Sequence, residues 1–327
     1  NLAEPSIINF DWRVGYEDSN GSHIAKCYVD GVLKFSNSRT PSWSTKTIVL
    51  SAGEHTLHWE YTITTPGSNY WMQLRNLTIA SDWVSVETSP GLLGVETLYK
   101  VDRLQDVNFL KIKGGMNDAD WKVIKQMVNL YGLDLSETDI TTLPVAFNSN
   151  ADFGYIVLPK TLLTIPDKAF RTCKIHEITI PASVKTIGNE AFASTYLGFV
   201  DFAENSQLTT IGYRAFYNTD IKEFIMPNSV TKLTTLQANS SEGYRSEAFA
   251  SCSNLRRITF SDNLVVLPRY LCAYSGNIKE IHLPVNLEEI GDGFMEMWKG
   301  NTVYKSALES IELPSTLKRI GADAFSY

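Results

Sequence analysis

The sequence predicts a mainly β protein in two parts, an antiparallel β-sandwich followed by a solenoid of stacked rungs with one parallel strand per repeat. Three observations predict it. Residues 1–82 break into short stretches of alternating apolar and polar residues, punctuated by Gly, Asn, Ser and Pro. Residues 130–327 repeat a single apolar template with its phase kept. Residues 83–129 carry the chain from one part to the other and end in a strand and short helix suited to cap the first rung.

The 327 residues, 43% hydrophobic and 20% charged, suffice for a domain plus a repeat array. A formal charge of −7 without any Lys/Arg run excludes a phosphate-backbone ligand, because such binding needs clustered cations. No nucleic acid partner is expected. No apolar stretch approaches the roughly 20 residues that cross a bilayer, so no membrane span is expected. The chain opens on Asn1 without a basic and then apolar leader, which reads as a soluble, already processed protein.

In the first part Ile8, Phe10, Trp12 and Val14 alternate, as do Leu57, Trp59 and Tyr61, the period-2 pattern of half-buried strands. Asp30-Gly31, flanked by Tyr28-Val29 and Val32-Leu33, and Ala52-Gly53 are expected hairpin turns. Pro90, Gly91 and Gly94 mark the connecting segment. Phe109-Leu110-Lys111-Ile112 reads as a strand, and Asn117 as the N-cap of a helix over 118–127 with Trp121, Ile124 and Met127 on one face.

The repeat is plainest in two stretches. Residues 178–192 read Ile-Thr-Ile-Pro-Ala-Ser-Val-Lys-Thr-Ile-Gly-Asn-Glu-Ala-Phe, and 311–325 read Ile-Glu-Leu-Pro-Ser-Thr-Leu-Lys-Arg-Ile-Gly-Ala-Asp-Ala-Phe. Phe170, Phe192, Phe216, Phe249, Leu271, Phe294 and Phe325 mark the phase, at steps of 22, 24, 33, 22, 23 and 31 residues. Four of these steps fit a leucine-rich repeat, and polar insertions around 234–246 and 296–306 account for the other two. Each unit opens with a three-residue strand, giving eight expected strands, at 133–135, 156–158, 178–180, 200–202, 224–226, 258–260, 281–283 and 311–313. Pro159, Pro181, Pro227, Pro284 and Pro314 end strands because proline cannot donate to the ladder. Gly188, Gly212, Gly291 and Gly321 at the next bend are expected to supply positive φ. Cys173 and Cys252 share a repeat position with Thr195 and Thr219, so a small buried side chain is wanted there. The end, Ala324-Phe325-Ser326-Tyr327, stops in mid-phase, which reads as a frayed last rung or a chain that continues.

The template at 178–192 and 311–325 resembles the BspA-like leucine-rich repeats of bacterial surface and secreted proteins, and the likeness covers about 130–327. Residues 109–127 with Leu133-Asp134-Leu135-Ser136 look like the lead-in to such arrays, and the first part is similar in style to the jelly-roll modules that precede them. The resemblance implies a right-handed solenoid acting in adhesion or recognition, exported or at the cell surface, without catalytic residues. Its departures are the two insertions, Leu271 in place of Phe, and Ala203 and Ser261 where the strand-ending proline belongs.

Enzyme chemistry finds no support in the residues. His23, His55, His58, His176 and His282 stand in no ligand spacing, and no nucleophile elbow or phosphate loop occurs, so no metal, cofactor or catalysis is expected. His55 and His58 would sit on opposite faces of a strand. The outward residue of each rung gives a candidate binding row, Val157, Thr179, Asp201, Ile225, Thr259, His282 and Glu312. The insertions add Tyr244, Trp298 and Tyr304. Trp43, in a turn-like stretch, and Trp71, of opposite parity to Met72 and Leu74, could stack on sugar rings. The expectation is a monomeric protein that binds an extracellular host protein or glycan through the solenoid face, with a sugar-binding sandwich on a spacer of repeats as the alternative.

Overall fold

The alternating stretches of the first part form six strands, β1 (Ser6–Tyr16), β2 (His23–Val29), β3 (Val32–Asn37), β4 (Thr40–Leu50), β5 (Leu57–Ile63) and β6 (Tyr70–Ala80). The computed structural model describes residues 2, 6–16, 23–37, 40–50, 54–63, 70–80, 83–144, 153–237, 243–299, 302–303 and 305–326, without some strand side chains, those of Trp71 and Trp298 among them. The strands pair antiparallel into two three-stranded sheets, β4-β1-β6 and β3-β2-β5. β1 turns Ile8, Phe10, Trp12 and Val14 inward, where they share one core with Ala25, Cys27 and Val29 of β2. Phe10 meets Phe35 and Trp59 of the facing sheet edge-on, 6.3 and 5.6 Å between ring centroids, the arrangement that ring quadrupoles favour.

Asp30-Gly31 makes the expected hairpin. Both residues are left-handed, φ 50° and 77°, and Val29 pairs with Val32, the turn whose twist matches that of its strands. The hairpin expected at Ala52-Gly53 is overturned: those residues lie outside the described ones, but β4 and β5 on either side belong to different sheets. His55 also departs from expectation. It precedes β5, and its Nδ1 lies 2.7 Å from Asp30 Oδ2.

The chain divides into two compact units, Asn1–Trp83 and Val84–Tyr327. Residues 83–108, read from sequence as a connection, hold more structure than that: β7 (Trp83–Thr88), α1 (Leu93–Leu98) and a 3-10 turn at Leu104–Asp106. β8 (Phe109–Gly114) and α2 (Asp118–Ile124) follow. The helix is shorter than expected, but Trp121, Ile124 and Met127 are all buried. Its start is a capping box: Asn117 accepts from Ala119 N–H at 2.8 Å while Asp120 accepts from Asn117 N–H at 2.8 Å. Asp120, fully buried, also accepts from Gly91 and Leu93 N–H at 2.7 and 3.0 Å. One carboxylate thereby pins the connection to the cap helix.

The solenoid strands are β9 (Gly132–Thr138), β10 (Tyr155–Val157), β11 (Thr164–Ile165), β12 (Glu177–Ile180), β13 (Thr186–Ile187), β14 (Phe199–Phe202), β15 (Thr210–Ile211), β16 (Glu223–Ile225) and β17 (Lys232–Leu233). They continue as β18 (Leu236–Gln237), β19 (Tyr244–Arg245), β20 (Arg257–Thr259), β21 (Val266–Leu267), β22 (Glu280–His282), β23 (Glu289–Ile290), β24 (Trp298–Lys299), β25 (Thr302–Val303) and β26 (Arg319–Ile320). Parallel pairing links β8-β9-β10, β12-β14 and β16-β20-β22 along one side. A second row of two-residue strands, β11-β13-β15-β17 and β21-β23-β26, is added at the apolar pair after each turn. Seven of the eight expected strands form. Residues 311–313 do not, and here the insertion before them passes over Gly276, with Ala307 N–H donating to Gly276 O.

The interior is a set of columns. Phe170, Phe192, Phe216 and Phe249 stack with centroids 5.4, 5.3 and 5.5 Å apart and planes within 14°. Further on, the hydrogen bonds correct the sequence alignment by one residue. Phe170, Phe192 and Phe216 N–H each donate to the alanine before the next ring, whereas Phe249 donates to Leu271, Cys272 to Phe294 and Met295 to Ala324. Cys272 and Met295 therefore occupy the ring column, and the bulky Leu271 and Phe294 take the alanine column beside it. At Leu271-Cys272 large and small exchange positions and the volume of the pair is roughly kept, whereas at Phe294-Met295 both side chains are large.

The bend glycines are also reassigned. None of Gly188, Gly212, Gly291 and Gly321 has positive φ. They are needed for close approach: a Cβ on Gly212 would lie 2.4 Å from Gly188 C and O, and one on Gly188 would lie 2.5 Å from Asp167 N. The left-handed residues fall two places later, at Glu190, Arg214 and Asp323, and recur at Lys168, Glu247 and Tyr270. Cys173, Thr195, Thr219 and Cys252 form the expected small buried column, which Ser275 extends. Ser261 keeps the turn that proline makes elsewhere, its carbonyl accepting from Leu264 N–H and its hydroxyl donating to Val230 O at 2.7 Å.

Candidate functional site

On the strand row, side chains alternate between the core and solvent. Ile178, Val200, Phe224, Ile258 and Ile281 point inward and are buried. The outward set holds the expected Val157, Thr179, Asp201, Ile225, Thr259 and His282, in register from rung to rung: Thr179 beside Asp201, and Ile225 beside Thr259 beside His282. Val157 and Thr259 are partly covered, while Thr179, Asp201, Ile225 and His282 are exposed. Glu312 is exposed but stands off the ladder, because its segment is not a strand.

All seven strands begin one residue earlier than the sequence pattern suggested, and from β10 on this adds a second outward column: Tyr155, Glu177, Phe199, Glu223, Arg257 and Glu280. The charge at Glu177, Glu223, Arg257 and Glu280, two residues before the predicted row, could have signalled four of them; Tyr155 and Phe199 carry no such signal. Within the two columns the cations are engaged. Arg257 Nε lies 2.7 Å from Glu280 Oε2 and its Nη1 lies 3.1 Å from Glu223 Oε1. His282 Nε2 lies 2.6 Å from Glu280 Oε1. These bonds, Arg257 first, hold the Glu280 carboxyl below its ordinary range. Lys111 pairs with Asp134 and Glu137. Glu177 and Asp201 have no basic partner among the described residues. Burial, then the negative charges of Asp134 and Glu177, push the Tyr155 phenol up to about 12.

Two outward side chains break the polar face. Phe199 and Ile225 are each 59% exposed, on successive rungs of opposite columns. Tyr196, just before Phe199, is exposed as well and lies 5.7 Å from the His176 ring.

Both insertions form β-hairpins, β18 with β19 and β24 with β25, antiparallel. Tyr244, 63% exposed, stands on the first. The base of that hairpin is fixed by Glu247, buried and paired with both Arg214 and Arg245. The side chain of Trp298, on the second hairpin, and all of Tyr304 lie outside the described residues.

In the first unit, Trp43 on β4 is half-buried, and guanidinium carbons of Arg13 and Arg75 lie 4.4 and 3.9 Å from its ring centroid. Asp11 accepts from Thr45, Asn76 and Arg75, and the first two bonds lead in depressing its carboxyl pKa. Trp43 thus presents a ring engaged by cations, not a bare stacking platform. Trp71 pairs with Gly15 through its backbone, and its side chain is outside the described set. Among the described residues, groups of acid, cysteine and histidine side chains able to hold a metal ion are absent, and no helix is long and apolar enough to cross a membrane.

A stack of parallel rungs capped by a strand and helix, with a Phe column inside and a mixed face outside, defines a leucine-rich-repeat protein. The family model described as the BspA type leucine rich repeat region matches six times, over residues 125–241, 232–301 and 299–327, and the chain belongs to that family. Among solved structures it is similar to a leucine rich cell surface protein from Faecalibacterium prausnitzii, with 17% identity over 66% of this chain and 69% of that one and a TM-score of 0.34. A leucine-rich repeat protein from Bacteroides ovatus matches with 18% identity, 78% and 87% coverage and a TM-score of 0.28. The Leucine Rich Repeat protein of T. pallidum matches with 20% identity, 56% and 68% coverage and a TM-score of 0.32. A comparison with curated proteins finds no match.

Proposed function

We propose that the chain is a non-enzymatic binding protein, exported to or displayed on a bacterial surface, that recognises an extracellular protein through the strand row of its solenoid. The observation that carries this is the pair Phe199 and Ile225, each 59% exposed on a ladder whose other exposed outward residues are polar. A large apolar side chain on a repeat face gains nothing from water, and ordered apolar and aromatic anchors are what protein interfaces bury. Family membership supports the surface setting. The test is binding of the whole chain to immobilised host matrix proteins and mucin, compared with a Phe199→Ser/Ile225→Ser variant. Capture that falls at least tenfold supports the reading, since each buried anchor is worth about 1–3 kcal/mol; unchanged capture overturns it.

A second reading is supported by the Trp43 cluster. Arg13 and Arg75 over the indole, with Gln73 bonded to Arg13, suit a carbohydrate bearing a carboxylate. On that reading Trp43→Ala removes binding on a glycan array and the Phe199/Ile225 variant leaves it unchanged.

A further inference from the structure

We infer that the centre of the strand row takes an extended polypeptide segment that carries Lys or Arg side chains with apolar residues between them. This rests on the proposed reading of the row as a protein-binding face and adds what kind of segment fits it.

The geometry is a checkerboard over three rungs. In the first column Glu177, Phe199 and Glu223 follow one another; in the second, Thr179, Asp201 and Ile225. The row steps from β14 to β16 through Lys222 N–H to Gly198 O. Every carboxylate therefore neighbours an exposed apolar or small polar side chain, both along the strand and across it. Neighbouring rungs are about 4.8 Å apart and outward residues of one strand about 6.6 Å apart. The second is also the spacing at which an extended partner presents its own alternate side chains.

The charge is unbalanced at this place and balanced on both sides of it. Beyond β16, Arg257 is clamped between Glu223 and Glu280. Before β10, Lys111 satisfies Asp134 and Glu137. Glu177 and Asp201, on paired strands between these two clamps, have no basic partner among the described residues, and they lie diagonally about 8 Å apart by strand geometry. The acids of this family of columns do not repeat as a ladder; they border Phe199 and Ile225. A neutral apolar partner would desolvate two unpaired carboxylates, and an acidic partner would add like charge. A basic and apolar segment satisfies both kinds of neighbour at once.

The test uses the whole chain and two labelled synthetic peptides, one alternating Lys with Val and the other alternating Glu with Val, followed by fluorescence anisotropy at low and high salt. The Lys peptide binds, salt weakens it, and the Glu peptide does not bind. Glu177→Lys with Asp201→Lys lowers affinity for the Lys peptide by about tenfold or more. Glu54→Lys with Asp102→Lys, which makes the same change in net charge at exposed positions off the row, leaves it within about twofold. No binding of the Lys peptide, or an equal loss in both variants, overturns the inference. Its failure is separable from that of the function proposed above. If the Phe199/Ile225 variant loses matrix binding while the Glu177/Asp201 variant keeps both matrix and peptide binding, the row remains the binding face and the basic partner is wrong. If the Phe199/Ile225 variant keeps matrix binding, the row itself is wrong.

Discussion

Gly212→Ala and Gly198→Ala add the same methyl group to one turn of the solenoid and are expected to act with opposite sign. At Gly212 the new Cβ would lie 2.4 Å from Gly188 C and O and 2.5 Å from Asn189 N, all backbone of the preceding rung. A carbon needs roughly 3.5 Å there, so the rungs must part by about 1 Å at a place where hydrogen bonds hold them, Gly212 N–H to Ile187 O at 2.8 Å. No side chain can swing aside. Overpacking of this kind costs about 1–3 kcal/mol when neighbours can relax; against fixed backbone, about 3 kcal/mol or more is expected. At Gly198 the nearest atom is Asp220 O at 3.7 Å, an ordinary contact, and φ is not left-handed. There alanine only narrows the unfolded ensemble and is expected to stabilise by about 0.4–1 kcal/mol. Urea unfolding followed by far-ultraviolet circular dichroism reads both. A Gly212→Ala variant within about 1 kcal/mol of the parent, or a Gly198→Ala variant equally damaged, would refute the close-approach explanation of the bend glycines.

Asp120→Ala leaves the Gly91, Leu93 and Asn117 N–H groups without their shared acceptor; a loss of about 3 kcal/mol is expected, with hydrogen exchange rising first in residues 91–124. Asp30 is held below its ordinary carboxyl pKa of 3.8, by His55 first and by the Thr56 N–H second. A depressed carboxyl contributes stability above its unfolded pKa and loses it as pH falls through the lower folded value. Melting temperature should therefore fall more steeply below about pH 4 in the parent than in Asp30→Asn, and parallel acid curves would show that the pair contributes nothing. All four cysteines are free and buried, and burial lifts the thiols of Cys27 and Cys173 to about 11 and 12 and raises Cys252. None should react with iodoacetamide at neutral pH until urea unfolds the chain; a site labelled in the native protein would place that thiol at the surface.

The parts of the fold that sequence makes visible are those where one side chain decides the outcome by itself. Asp30-Gly31 closes its hairpin because both residues tolerate left-handed backbone, and Asn117 with Asp120 starts α2 because their own side chains satisfy the free N–H groups. The Phe column is visible as far as Phe249. After it Cys272 and Met295 take the ring column, and a pattern search that follows Leu271 and Phe294 drifts by one. The hydrogen-bonding register reveals this, and the distance from the bend glycine agrees with it: Phe192, Phe216 and Phe325 stand four residues after their glycines, as Met295 and not Phe294 does after Gly291. The bend glycines were recognisable as obligatory, but their reason lies in a neighbour 24 residues away in sequence for Gly212 and Gly188, which local pattern cannot carry. The same holds for Ala52-Gly53: the destination of the next strand is set by the other sheet.

The two kinds of column differ in what constrains them, and this is why the outward face can carry a site at all. An interior position touches its counterpart in the rung before and after, so a change at Phe192 is felt at Phe170 and Phe216. An outward position meets solvent on its open side, and with charges such as Arg257 it meets neighbours that can be satisfied by rotation of long side chains. Exchange on that face costs the array little, since exposed ion pairs are worth only about 0–1 kcal/mol. Phe199 and Ile225 have no such excuse within the array: neither supports the ladder, and exposed rings on a strand favour association with other chains. Truncating both to serine should therefore leave the unfolding free energy within about 0.5 kcal/mol of the parent, as for ordinary surface positions. A loss above about 2 kcal/mol would show that these side chains serve the fold, and the binding face would have to be sought elsewhere.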